Sequence, residues 1–153
     1  MNNETEYRCC DPRAAAVALG RWCFGIVFLF FGLGKFMGGV GAFAQGLASM
    51  YEKTWLPGPL VSAFGHMMPF LEVTLGALLI LGIARDVVLF VAGLFLIALT
   101  FGQIVLQQAQ LIFFNTAYLF MVAVLLFASK YDWWVLGPRC WGRRQAVTGD
   151  KVE

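Results

Sequence analysis

Four runs of apolar residues dominate the chain, at positions 14–36, 61–84, 87–106 and 111–129. Each is about 20 residues long, the length at which a helix crosses the roughly 30 Å hydrocarbon layer of a bilayer. The third and fourth carry no charge; the first holds Arg21 and Lys35, and the second holds His66 and Glu72. The first run is long enough to span and continues past any small-residue cleavage point, so it reads as a retained span rather than a cleaved signal peptide. Composition agrees with this reading. The chain is 60% apolar and 13% charged, against roughly 45–50% and 25% in soluble domains. It is much too apolar for intrinsic disorder, and a net charge of +2 leaves no footprint for nucleic acid. The expected fold is an all-α integral membrane four-helix bundle with the lipid bilayer as solvent.

Orientation follows from the basic residues, since cytoplasmic segments retain Lys and Arg. An even number of spans puts both termini and the Arg85-Asp86 turn on one side. That side collects Arg8, Arg13, Arg21, Arg85, Lys130, Arg139, Arg143, Arg144 and Lys151, against Lys35 and Lys53 on the other. The chain therefore reads as a multi-pass protein of the bacterial inner membrane with both termini cytoplasmic. Residues 1–13 form a cytoplasmic tail, 14–130 the transmembrane domain, and 131–153 a cytoplasmic interfacial tail. Trp22, Tyr131, Trp133, Trp134 and Trp141 supply the aromatic belt expected at the inner surface.

The one long connection, residues 37–60, starts glycine-rich and places Phe43, Leu47, Met50 and Tyr51 at helical spacing before Leu56-Pro57-Gly58-Pro59. It reads as a short amphipathic helix on the outer interface; a lid or re-entrant segment is the other reading of the same pattern.

Ionisable groups inside the bilayer cost several kcal/mol unless paired or wetted. Counting from position 61 puts Glu72 at ~16 Å depth, near the midplane. Arg21 comes within ~8 Å of the same level from the inner side, whereas Lys35 sits at the outer end of its helix. Depth alone thus predicts an Arg21–Glu72 contact, with Lys35 facing the outer interface. Such a pair either fixes helix register or gives a midplane cavity a proton acceptor. In the outer half, His66, Gln103 and Asn115 are expected to join Lys35 in a polar pocket, with Thr100, Gln103 and Gln107 on one helix face. His66 reads either as a proton relay and quinone hydrogen-bond donor or as an ordinary interfacial residue. Pro69, between His66 and Glu72, should kink the second helix and free a backbone carbonyl. Gly25, Gly32, Gly34, Gly38, Gly76 and Gly82 read as packing positions.

The four cysteines, Cys9, Cys10, Cys23 and Cys140, form no CxxC, so thiol–disulfide chemistry lacks its motif. A single histidine with no ligand at a metal-binding spacing makes a metal centre or a bis-histidine haem unexpected. Phosphate-loop, serine-elbow and HExxH patterns are absent from the sequence.

Leu19-Gly20-Arg21 followed by Phe31-Gly32-Leu33-Gly34-Lys35-Phe36 resembles the opening helix of the DoxX family. Phe70-Leu71-Glu72 leading to Gly76, Gly82 and Arg85 is similar to that family's E-x3-G-x5-G-x2-R run. The likeness covers roughly residues 17 to 130. It implies a four-helix membrane protein tied to oxidoreductase systems, one branch resembling the membrane subunit of thiosulfate:quinone oxidoreductase, with Arg21, Lys35, Glu72 and Arg85 as the matching positions. No flavin or nicotinamide motif is present, so the polypeptide is not expected to catalyse alone. The expected role is an accessory or quinone-interacting subunit of an oxidoreductase complex, with Glu72 and Arg21 as candidate catalytic residues. Lys35, His66, Gln103 and Asn115 are the candidate quinone pocket, and the partners are other subunits of the complex or further copies of the chain. A noncatalytic membrane anchor or assembly subunit, and a small-solute permease, are the alternatives.

Overall fold

Proline and glycine set several helix borders among residues 12–131, the part of the chain described by the computed structural model. The first helix, α1 (Pro12–Met37), ends just before Gly39, which adopts a left-handed φ of 88° and leads at once into α2 (Val40–Tyr51). Pro57 caps α3 (Gly58–Leu81), with a proline in its first turn, where a missing N–H costs nothing. Gly82, at φ 71°, caps the other end; its N–H and that of Ile83 both return to the Leu78 carbonyl, a Schellman-type stop. After a second left-handed residue, Ala84, the chain enters α4 (Arg85–Val105). A turn with Gln107 at φ 54° joins it to α5 (Ala109–Phe127), and a 3-10 turn, Ser129–Tyr131, follows.

The helices α1, α3, α4 and α5 are long and apolar enough to cross a membrane, and all regular elements among the described residues are helical. The all-α, four-span expectation therefore holds. The second span starts three residues earlier than expected and stops three earlier, because Pro57 and Pro59 open the helix and Gly82 closes it. Pro69 is fully buried inside α3, and the helix continues through it. The tails at 1–11 and 132–153, with Trp133, Trp134, Trp141, Cys9, Cys10 and Cys140, lie outside the described residues.

Packing is uneven. The broadest contacts join α1 to α3, α4 to α5, and α2 to α3, while α3 meets α4 and α1 meets α5 only narrowly. The bundle is therefore two tight hairpins set loosely side by side. Glycine explains the tightness of the first. A methyl group on Gly76 would lie 2.6 Å from Leu29 N and 2.8 Å from the Gly25 carbonyl oxygen; one on Gly32 would lie 2.9 Å from Val73 N. Only hydrogen allows the two backbones this approach, and in lipid close packing replaces the hydrophobic drive as the source of helix association.

These contacts also fix the antiparallel register. Gly25 faces Ile80, Leu29 faces Gly76, and Gly32 faces Glu72 and Val73. Gly25, Gly32 and Gly76 thus pack as the sequence suggests. Gly34 has nothing within 4 Å, Gly38 meets only its own helix, and Gly82 terminates a helix rather than packing one.

Between the hairpins, the end of the bundle far from α2 is filled by Phe24, Phe28, Leu75, Leu79, Leu89, Leu96, Val122 and Leu125. Phe28 meets Phe95 edge-on with ring centroids 6.1 Å apart. Towards α2, Met68 of this cluster and Phe43 and Leu47, which pack against it, border a cavity.

Candidate functional site: a cavity under the short helix

A cavity of about 650 Å³ occupies the gap between the hairpins. Each helix contributes one stripe to its wall, with residues three or four apart, as neighbours on a helix face must be: Phe28, Phe31 and Lys35 from α1, Phe43, Leu47 and Met50 from α2, Met68 and Glu72 from α3. The second hairpin adds Leu96, Leu99 and Gln103 from α4, Leu111, Phe114, Asn115 and Tyr118 from α5, and Leu106 and Gln108 from the turn between them. The surface is aromatic and aliphatic except for one ion pair and a few amides.

That ion pair is Lys35–Glu72. The ammonium donates to Oε1 at 2.7 Å and to Oε2 at 2.5 Å, and the side chains are only 18% and 7% exposed. The expected Arg21–Glu72 contact is not what forms. Depth arithmetic assumed that all helices start in one plane, whereas the glycine crossing sets Gly32 level with Glu72. Lys35 lies three residues beyond Gly32, a rise of about 4.5 Å, well within the reach of a lysine stem. Lys35 therefore faces the interior and not an outer interface. Its Nζ also lies 5.8 Å from the ring centre of Phe31 and 5.2 Å from that of Phe43, inside the range of cation–π attraction.

Arg21 works at the other end of the bundle. Its guanidinium donates to the Leu79 carbonyl and, at 3.4 Å, to that of Ile80. These belong to the last turn of α3, whose carbonyls have no helical donor, and a cation there also complements the helix dipole. Arg21 is 1% exposed; it caps α3 and touches no part of the cavity. Arg85 and Asp86 contact each other at the start of α4, likewise away from it.

Of the other predicted pocket residues, Gln103 and Asn115 line the cavity with Lys35 and Glu72. Gln103 Oε1 is buried without a hydrogen-bond partner among the described residues. His66 does not join them. It is exposed, and its Nδ1 contacts the Ser62 carbonyl of its own helix at 2.8 Å. It stands six positions before Glu72, which at 100° per residue sets the two about 120° apart around the helix. Thr100 donates back to Leu96 at 2.8 Å, and Gln107 is exposed in the turn, so of the expected α4 face only Gln103 reaches the site. Met68, Gln108 and Tyr118 escaped the sequence reading; the spacing 108, 111, 115, 118 was the available signal.

The short helix α2 is a docked cover rather than a free interfacial anchor. Ala44 is fully buried and seats on Gly65, where an added methyl would fall 3.0 Å from its Cα. Tyr51 is buried at the other end, its hydroxyl 2.5 Å from where a Gly102 side chain would begin. Burial raises the Tyr51 phenol above its usual range, because the phenolate loses solvation there.

Comparison with known proteins corrects the family. No curated protein and no solved structure matches the chain. The family model that matches, over residues 13–111, is that of methylamine utilisation protein MauE, and it replaces the DoxX resemblance. Glycine-rich spans with charges near their ends answer to general demands of packing and topology in a bilayer, so the Arg, Lys, Glu, Arg spacing does not discriminate between families. The thiosulfate:quinone connection rested on that resemblance alone. With more than half of its length matched, from α1 into the start of α5, the chain is a multi-pass membrane protein that belongs to the MauE family.

Proposed function

We propose that this MauE-family protein is an accessory membrane subunit of an amine-oxidising system, and that its cavity receives the head group of a membrane quinone. The family description speaks of methylamine utilisation, and electrons taken from an amine need an acceptor. A quinone supplies reversible uptake of two electrons and two protons.

The cavity carries this reading. Its volume of about 650 Å³ falls in the range of ligand pockets, ~300–1,000 Å³, and its lining has the matching make-up: apolar walls with a few convergent polar groups. Lys35 donates a hydrogen bond to a ligand oxygen, Glu72 holds or releases a proton beside it, and Gln103 and Asn115 orient the ring. Phe28, Phe31 and Tyr118 give the flat faces against which a ring packs. An anchor that only held other subunits would have no use for such a space. A permease needs a path through both ends, and the Phe24–Leu79–Leu89 core fills the far one. We read both termini as cytoplasmic from the distribution of Lys and Arg, a reading that puts the cavity in the outer half of the bacterial inner membrane.

The test is to purify the protein from its native membrane with its partners and to quantify extracted quinone by mass spectrometry. Near-stoichiometric quinone is expected in the wild type, with a fall of tenfold or more in Lys35→Met. If Glu72→Gln leaves both the quinone content and the redox activity of the preparation unchanged, the reading is wrong.

A further inference from the structure

A second hollow lies against the first. It is an open groove of about 450 Å³ on the outside of α1, lined by Phe30, Phe31, Gly34, Lys35, Gly38 and Phe43. Three of these, Phe31, Lys35 and Phe43, also line the interior cavity, so they form the partition between the two spaces. The partition is thin: one ammonium held between two rings. The groove exists because Gly34 and Gly38 carry no side chain and no neighbouring helix covers them. Its flank is apolar and exposed, with Phe30 at 67% and Phe31 at 60%, on a helix that crosses the bilayer. Apart from the shared lysine, no polar side chain lines it.

We propose that the cavity is reached sideways from the lipid, between Phe31 and Phe43, by a ligand with a long apolar tail that comes to rest along Gly34 and Gly38. This rests on the quinone reading of the cavity and names the class within it: a tailed, lipid-soluble quinone rather than a small water-soluble one. Lys35 serves both spaces. Its cation–π contacts keep the ammonium in the doorway, where it meets the head group while the methylene stem borders the tail. The groove's floor is the bare backbone of Gly34 and Gly38, along which an apolar chain can lie.

The experiment uses the full-length protein in nanodiscs and two fully substituted benzoquinones, one without a tail and one with a decyl tail ending in a photoreactive diazirine. Crosslinked peptides are mapped by mass spectrometry, and binding of the tail-less quinone is measured separately. Tail adducts are expected between Phe30 and Phe43. Filling the groove with G34L/G38L should cut them at least tenfold while binding of the tail-less quinone stays the same. A side chain at Gly34 meets nothing within 4 Å and favours helix, and one at Gly38, just past the end of α1, begins in ordinary contact with the Gly34 carbonyl oxygen at 3.5 Å, so the variant keeps the fold. Adducts concentrated instead on Leu106, Leu111 and Phe114, or unchanged by G34L/G38L, overturn sideways access while leaving the head-group site intact. Failure of the tail-less quinone to bind the wild type overturns the cavity reading itself.

Discussion

Replacing Lys35 by methionine removes the charge that Glu72 faces and keeps most of the stem. The two groups are 2.5–2.7 Å apart and mostly buried, so little solvent screens them. Deleting one member of a buried pair costs ~3–5 kcal/mol, because the other is left without compensation. Glu72 borders a cavity, which softens the loss, and we expect about 3 kcal/mol for Lys35→Met. Glu72→Gln should cost less, about 1–2 kcal/mol, since a lysine near the end of α1 can turn its ammonium outward. The double variant leaves two neutral side chains and should lie within about 1 kcal/mol of the wild type, giving a coupling energy of at least about 3 kcal/mol. Reversible unfolding in bicelles, followed by steric trapping, measures all four corners of this cycle. Arg21→Met with Glu72→Gln is the control pair and should be additive. Additivity of Lys35→Met and Glu72→Gln within about 0.5 kcal/mol, or coupling in the control instead, would refute the assignment of Lys35 as the partner.

Glycine substitutions should separate by position: Gly76→Ala is expected to lose about 1–3 kcal/mol or more through backbone overlap with α1, whereas Gly34→Ala gains up to about 1 kcal/mol from helix propensity, both read from unfolding midpoints. Gly102→Ala pushes against the Tyr51 hydroxyl and should lower the hydrogen-exchange protection of α2 about tenfold without touching that of α5. A phenol with a raised pKa stabilises docking below its free value and loses that contribution as pH climbs past ~10; the protection factor of α2, taken against the intrinsic exchange rate at each pH, should therefore fall in alkali, and Tyr51→Phe should remove that fall. Arg21→Met strips the last turn of α3 of its donor and should cost about 2 kcal/mol, while His66→Ala leaves quinone content unchanged.

The spans were legible because lipid imposes a length and a polarity that any 20-residue window reveals. The partner of Glu72 was not, because depth along one helix says nothing about how far its neighbour is shifted. That shift is set by Gly25, Gly32 and Gly76, residues visible in the sequence as small but not as facing one another until two helices are placed side by side. His66 shows a second gap: depth put it near the pocket, and only its angle around the helix takes it away. Gln103 and Asn115 were found because polar side chains in otherwise apolar runs stand out. Met68 and Tyr118 were missed because apolar and aromatic wall residues look the same as core. The cavity itself follows from the weak contact between hairpins, a property of no single residue.

The first hairpin has a consequence for how the protein is made. Lys35 and Glu72 sit on consecutive spans, so during synthesis the lysine is already at the end of α1 when the carboxylate of α3 follows it into the membrane. A lone glutamate in the middle of a span resists partition into lipid. A cation waiting one span earlier, at the matching level, lets the two insert as a unit. Glycine at the crossing decides whether that level matches, and a bulky residue at Gly32 or Gly76 should therefore show its effect first as failed insertion of α3, before any folded protein exists to be unstable.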